Sequence, residues 1–556
     1  MAVAVVLPSL QSSTGASFSQ LTWVIESYLL SLTTFLATSR FLLGRLGRTR
    51  TLLAGSVAFT AGAALAGAAP ATAVLIVARA LQGAGSAFLV AAGPLVLTST
   101  FGGEEALGRA SSARREEPVT LAGPPGADGL RGANGPPVGA QPTGLAVWST
   151  LTALAVASAP LAGGLVATEL SWRYVFFLES ALGAAGLAAT LGRAATTERA
   201  GPGETGPPDW AGAGLFAGAA TLLVVGLVRV TYNLESWVSS GVLACLGCTG
   251  LLLVAFVAKE TVAAPPALPI GMFRRRSFAG ASAAAFGLSF AVMGTFPVLA
   301  FYLARSFGYT SLGAGLRLLA LAGMALPGLG AGALCAKWQR AHPSKWRRNK
   351  NTPAKWGSGR LPAASWLLVG GLALVACGLW LMSGTGPTSG WEALLPGLLV
   401  SGAGYELASP RLSAAAAAGL PLEEAPLAAR ASSTARQLGA VVGVALAVSL
   451  FATRLTTAIG HELGFSASLA GEPPAVASLV LGGHIAQASY LAGAGALRTA
   501  FAAAVHSVLV LGALVAAASA LVTLVASADL APARTRIPMA SARGRLPAAQ
   551  PSKEPS

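Results

Sequence analysis

Apolar residues along this chain gather into long blocks, separated by short polar or basic connections. Lipid offers no water to pair a backbone N–H or C=O, so a spanning helix takes about 20 mostly apolar residues. Blocks of that kind are predicted at 21–38, 51–69, 72–98, 145–167, 174–191, 211–230 and 237–257. They continue at 278–304, 311–336, 363–382, 391–408, 434–452 and 497–526. The opening MAVAVVLPSLQ holds about seven apolar residues and then a proline, so it reads as the tail of an earlier span. No charged leader precedes it, and no signal peptide is expected. With that tail counted as span 1, the blocks are spans 2 to 14.

Charge in the connections alternates. RFLLGRLGRTR, between spans 2 and 3, carries Arg40, Arg45, Arg48 and Arg50 and no acid. Residues 337–360, between spans 10 and 11, carry eight Lys or Arg and no acid. FRRRSF places Arg274, Arg275 and Arg276 just before span 9. On the opposite side, 11–20 has no charge, and no Lys or Arg occurs between Arg454 and Arg498. Basic residues collect on the cytoplasmic side of a membrane. The even-to-odd connections and both termini are therefore expected inside a plasma membrane.

Composition sharpens this picture. Hydrophobic residues make up 54% of the chain and charged residues 10%, against about 25% charged in an average soluble protein. That is too little polar surface for a water-soluble globule. The net charge of +16 sits between apolar blocks, so it reads as a topology signal, and no nucleic-acid partner is expected. Cys245 and Cys248 form a CxxC inside an apolar block with no second pair, which reads as packing. The stretch GPPGADGLRGANGPP repeats glycine every third residue from Gly123 to Gly135. Five triplets are too few for a collagen triple helix. Pro/Gly-rich polar sequence of this kind stays disordered, and it falls in the connection between spans 4 and 5. No G-K-[ST] phosphate loop, metal-ligand spacing or nucleophile elbow is present. Enzyme chemistry, cofactors and metals are not expected. The energy source left is an ion gradient, worth about 2.3 kcal/mol per charge per 100 mV.

Six stretches carry a resemblance. LTWVIESYLLSL looks like the second span of the 14-span drug:proton antiporters of the major facilitator superfamily. RFLLGRLGRTR is similar to the superfamily's motif between spans 2 and 3, matching best at Gly47, Arg48 and the basic run. LIVARALQGAGSAFLV resembles the span 4 motif, with Arg79, Gln82 and Gly83. SAPLAGGLVATELSWRYVFFLES resembles the antiporter motif of span 5, with Pro160, Gly163 and Gly164. PPDWAGAGL and STARQLGAVVGVAL resemble the starts of spans 7 and 13. The chain departs from the family at Arg40 (usually glycine), Gly44 (aspartate), Ala159 (glycine) and Glu179 (asparagine). The family's first-span aspartate would fall ahead of Met1. Two insertions, about 111–144 and 339–356, interrupt the family pattern in cytoplasmic connections.

Four ionisable residues stand in or at the edge of spans. Glu26 is the only charged residue of span 2. Burial favours the neutral form of a carboxyl, so such a group can take up and release protons; the resemblance implies proton coupling or recognition of a cationic substrate. Against this stands a glutamate that reaches the nearby surface. Arg79 in span 4 must face protein or water, because lipid does not solvate it. Gln82 and Gly83 lie one turn on, on the same helical face. The resemblance implies that Arg79 couples proton movement to conformational change; the alternative is a structural bond to a backbone carbonyl. Glu179 and Glu406 are candidates for the same chemistry. Pro160, Gly163 and Gly164 suit a helix that bends and packs closely during transport, or simple helix packing. His506 reads as a hydrogen-bonded core histidine.

The expected fold is an all-α polytopic membrane protein of the major facilitator type, two six-helix bundles plus two extra spans. The expected units are an N-terminal bundle at 1–193, spans 7–8 at 194–260, a C-terminal bundle at 261–527 and a disordered tail at 528–556. The resemblance implies a monomer in the lipid bilayer whose partners are protons and a small-molecule substrate. It implies proton-driven export of amphipathic, including cationic, compounds. An exporter dedicated to one metabolite or antibiotic, and a non-transporting remnant or sensor on the same scaffold, remain open alternatives.

Overall fold

Gly15 and Ser17 set the first turn of the chain. The helix α1, Ala2–Thr14, ends at Gly15, whose φ of 65° and N–H bond to the Gln11 carbonyl form a left-handed cap. Ser17 then opens the next helix with a capping box. Its Oγ accepts from the Gln20 N–H at 3.2 Å, and the Gln20 Oε1 accepts from the Ser17 N–H at 2.9 Å. The computed structural model describes residues 1–100, 143–194, 209–232, 237–262, 270–322, 363–417, 420, 425–462, 472–484, 487–489 and 493–528. Residues 111–142 of the expected insertion, 323–336 of span 10, the basic connection at 337–361 and 529–556 of the tail lie outside these.

The described elements are helical. After α1 come α2 Phe18–Gly67, α3 Thr72–Thr100, α4 Thr143–Glu169, α5 Trp172–Ala194, α6 Trp210–Tyr232 and α7 Ser240–Val262. Then follow α8 Arg276–Arg305, α9 Ser311–Ala322, α10 Ala363–Ser383, α11 Leu395–Ala408, α12 Leu412–Ala417, α13 Ala425–Glu462, α14 Glu472–Leu481 and α15 Ala494–Ala528. Among the described residues, nine helices are long and apolar enough to cross a membrane.

Three boundaries differ from the sequence reading. Spans 2 and 3 join in one helix, α2, because their connection stays helical except at Gly47. There φ is 78° and ψ 174°, a conformation essentially confined to glycine. The two limbs of α2 reverse direction on that one residue. Helix α13 starts well before and ends well after the apolar block, since polar residues at its ends can stay helical in water. The stretch between spans 13 and 14 contains α14, a short apolar helix packed on α13.

One half of the molecule is built from both limbs of α2 with α3 and α5, and the other from α8, α10, α11, α13 and α15. Helix α8 is the centre of its half, with 89% of its apolar window buried, against 17% for α7 and 11% for α5. Leu182 and Leu251 point outward at 66% and 70% exposure, which lipid tails solvate as well as a core would. The halves meet at two seams, α2 against α13 and α4 against α9. Helix α1 touches both halves, and α6 packs on both α2 and α13.

Candidate functional site

The first-half site is built around Arg79 on α3. Its Nε donates to the Val24 carbonyl at 3.2 Å and its Nη1 to Gln82 Oε1 at 2.6 Å. The guanidinium lies 4.2 Å from the centre of the Tyr28 ring and 5.8 Å from that of Phe176. Gln82 Nε2 in turn donates to Glu179 Oε2 at 2.7 Å. Arg79 and Gln82 are buried and Glu179 is half-buried. A neutral amide thus joins cation to anion head to tail, its oxygen on the cation and its N–H on the carboxylate. Three helices meet in this chain: α2, α3 and α5.

Close backbone approach makes the array possible. A Cβ on Gly83 would collide with the Tyr28 carbonyl, so glycine here lets α3 lie against α2. Tyr28 closes the array from the other side. Its hydroxyl donates to Ser86 Oγ at 3.0 Å, and Ser86 Oγ donates to the Gln82 carbonyl at 2.9 Å. Nothing in the residue pattern marked Tyr28 or Ser86 for this role. A tyrosine and a serine in apolar blocks are ordinary packing residues, and only the helix rotation aims them at Arg79.

Glu26 is not part of that array. Val24 and Glu26 are two positions apart, so they point to faces of α2 separated by about 200°. The Glu26 carboxyl is fully buried, and neither oxygen has a hydrogen-bond partner among the described residues. It faces the backbone of Ala445 on α13, across the seam between the halves. The sequence alternative of a glutamate reaching the surface is therefore overturned: the side chain is held inside by both helices. Glu406 is buried on α11 in the second half and is not joined to Glu26 or Glu179.

The glycine motif lies on the other seam. A Cβ on Gly164 would sit 2.5 Å from the Ser311 carbonyl oxygen of α9, and one on Gly163 would sit 2.9 Å from Ala2 of α1. Gly315 of α9 is pressed against the Pro160 carbonyl. Thr168 Oγ1 accepts from the Leu312 N–H at 2.9 Å. Pro160 and Gly164 thus lie on the contact between α4 and α9 of the opposite half, and Gly163 lies on the contact between α4 and α1. At the far end Gly47 makes the reversal of α2, and Arg48 follows it. His506 does bond, its Nδ1 lying 2.8 Å from the Ser383 carbonyl. It does so on the exposed side of α15 rather than in the core, because that carbonyl ends α10.

A further cluster joins the halves at the end that carries Gly15. Arg305 Nη2 donates to Gln11 Oε1 at 2.8 Å, and Gln11 Nε2 donates to the Leu481 carbonyl at 2.5 Å. Phe18 enters between Phe301 and Phe451, with ring centroids at 5.0 and 6.2 Å. None of these residues stood out in the sequence, since the contacts bridge hundreds of positions.

With this geometry in hand, the chain can be set beside known proteins. The family described as Major Facilitator Superfamily matches residues 1–115 and 132–444. A tetracenomycin C resistance and export protein of Streptomyces glaucescens is 26% identical over 459 residues, covering 82% of this chain and 73% of that protein. The multidrug resistance protein Stp of Mycobacterium tuberculosis (strain CDC 1551 / Oshkosh) is 23% identical over 462 residues, covering 83% and 74%. Among solved structures, an auto-inhibited POT family peptide transporter superposes with a TM-score of 0.52 at 14% identity, covering 87% of this chain and 94% of that one.

Proposed function

The chain belongs to the Major Facilitator Superfamily, and from that premise we propose that this multi-pass membrane transporter is a proton-coupled exporter of small amphipathic compounds, cationic ones included. It works in the plasma membrane with both termini cytoplasmic. The end carrying Gly15 faces outward and the end carrying Gly47, with its run of arginines, faces the cytoplasm. The chain divides into the units 1–193, 194–260 and 261–527 with a tail from 528, and acts as a monomer.

Glu26 carries this reading. A fully buried carboxyl with no bonded oxygen sits at a seam that must open and close as the halves rock. Carrying a charge there without a partner is costly, so the side chain takes up a proton when the seam is dry and releases it when the seam meets water or a cation. The state of Glu26 thereby biases which seam geometry is stable, the requirement for coupling two events. Arg79, Gln82 and Glu179 supply a second charge array in the same half. The drug-resistance and export proteins the chain resembles support export of drugs and antibiotics, and an exporter dedicated to one such compound fits the same geometry.

The test uses everted membrane vesicles carrying the full-length protein, a fluorescent lipophilic cation and an imposed pH gradient. Gradient-dependent uptake that a protonophore abolishes is expected, and Glu26→Gln should remove it at unchanged protein level. Uptake that persists in Glu26→Gln would overturn the assignment of that residue. No gradient-dependent flux of any compound in a broad panel would favour a non-transporting scaffold.

A further inference from the structure

Helix α6 lies along the seam between the halves and touches both. Val224, Leu227 and Val228 are buried in one cluster with Leu30 of α2 and Val441 and Ala445 of α13. Trp23, Leu29 and Leu446 pack against that cluster. Ser449 Oγ of α13 lies 2.6 Å from the Leu227 carbonyl and 2.8 Å from the Ala445 carbonyl of its own helix, so its one proton is shared between the two. Toward the other end, Phe216 of α6 is buried with Ala37 of α2 and Phe256 of α7, and Leu438 of α13 packs on them. Phe41 of α2 meets Trp210 edge-on at 5.9 Å. Helix α7 backs α6, and its own outer face is open to lipid.

Glu26 lies on the face of α2 that meets this helix. Trp23, Glu26 and Leu30 are spaced three and four apart, on one face of α2. Glu26 also faces Ala445, and Trp23 and Leu30 beside it on α2 and Ala445 across the seam belong to the cluster that α6 completes. Without α6 the groove between α2 and α13 would face the bilayer, and acyl chains would reach the carboxyl.

We propose that α6 is a gasket on the seam, pinned to α13 through Ser449 and sealing Glu26 from the lipid side, so that the carboxyl is reached only from between the halves. This gives the extra helix pair a task in the transport reading above. It stands or falls by a separate measurement, because sealing is read without transport.

The full-length protein in lipid nanodiscs is treated with dicyclohexylcarbodiimide, which partitions into lipid, or with a water-soluble carbodiimide. Modification of Glu26 is followed by peptide mass spectrometry, with Glu26→Gln as the blank. In the Val224→Ala/Leu227→Ala variant the lipid-soluble reagent should modify Glu26 about tenfold faster than in the parent protein, the factor given by an opening made ~1.4 kcal/mol easier. The water-soluble reagent should be unaffected, and Leu251→Ala on the outer face of α7 should change neither rate. Ser449→Ala, which leaves every apolar contact in place, gives a smaller increase of the same kind and serves where the double variant does not assemble. Equal rates in parent and variants with the lipid-soluble reagent, whether fast or slow, would overturn the proposal.

Discussion

Arg79 keeps its charge inside the protein through several modest contacts, and each can be removed alone. Tyr28→Leu takes the ring from the guanidinium, a contact worth about 2 kcal/mol where water is excluded. Efflux should fall by roughly tenfold or more at matched protein level. Tyr28→Phe keeps the ring and loses only the bond to Ser86, so most of the flux should remain. Initial rates in vesicles check this, and equal losses would assign the effect to the hydroxyl. Glu26 gives a prediction of opposite character. A buried carboxyl without a partner destabilises the fold, so Glu26→Leu should raise thermal stability, by about 1–3 kcal/mol, while removing coupled transport. A lower Tm would mean that the carboxyl is bonded. Glu26, Arg79, Glu179 and Glu406 could be read from the sequence because a charge inside an apolar block stands out against its neighbours. That Gln82 joins Arg79 to Glu179, and that Glu26 stands apart from both, could not. Those facts depend on how α2, α3 and α5 are rotated about their own axes.

Among the elements, helices followed from apolar length, and their ends followed less well. Lipid enforces a helix across each block, whereas in the connections polar residues can be helical or not. That freedom let α2 run through an expected loop and let α14 form unannounced. Gly47 is the one break, and its backbone is closed to other residues. Gly47→Ala should cost about 1–3 kcal/mol, measured by urea or thermal unfolding in detergent. Gly186→Ala is the control: its Cβ would meet nothing within 4 Å and should be neutral or slightly stabilising. On α4 the outcome turns on contact rather than conformation. Gly164→Val would drive α4 and α9 apart, since even a Cβ would meet the Ser311 carbonyl at 2.5 Å. The variant should insert in the membrane and lose transport; wild-type flux would show that this seam does not move as a packed surface.

For the whole molecule, the end carrying Gly15 is held shut by Gln11, Arg305 and the Phe18 contact with Phe301 and Phe451. Arg305→Leu leaves Gln11 with its bonds to the Ala16 and Leu481 carbonyls only. Spin labels on Ser12 and Thr310, both exposed, should then report a larger population of long distances at that end. An unchanged distance distribution would show that the aromatic contact alone closes it.

Sequence alone determined that this is a helical membrane protein and which apolar blocks form its long helices, because hydrocarbon demands apolar side chains and a self-paired backbone. It also marked the few charges that need a reason to be inside. Tertiary structure decided which of those charges meet, which helices form the seams and that α6 packs on both α2 and α13. A helix apolar all round has no face written in its sequence, so its rotation and neighbours are settled only by packing, where small residues let backbones touch and distant side chains find one another.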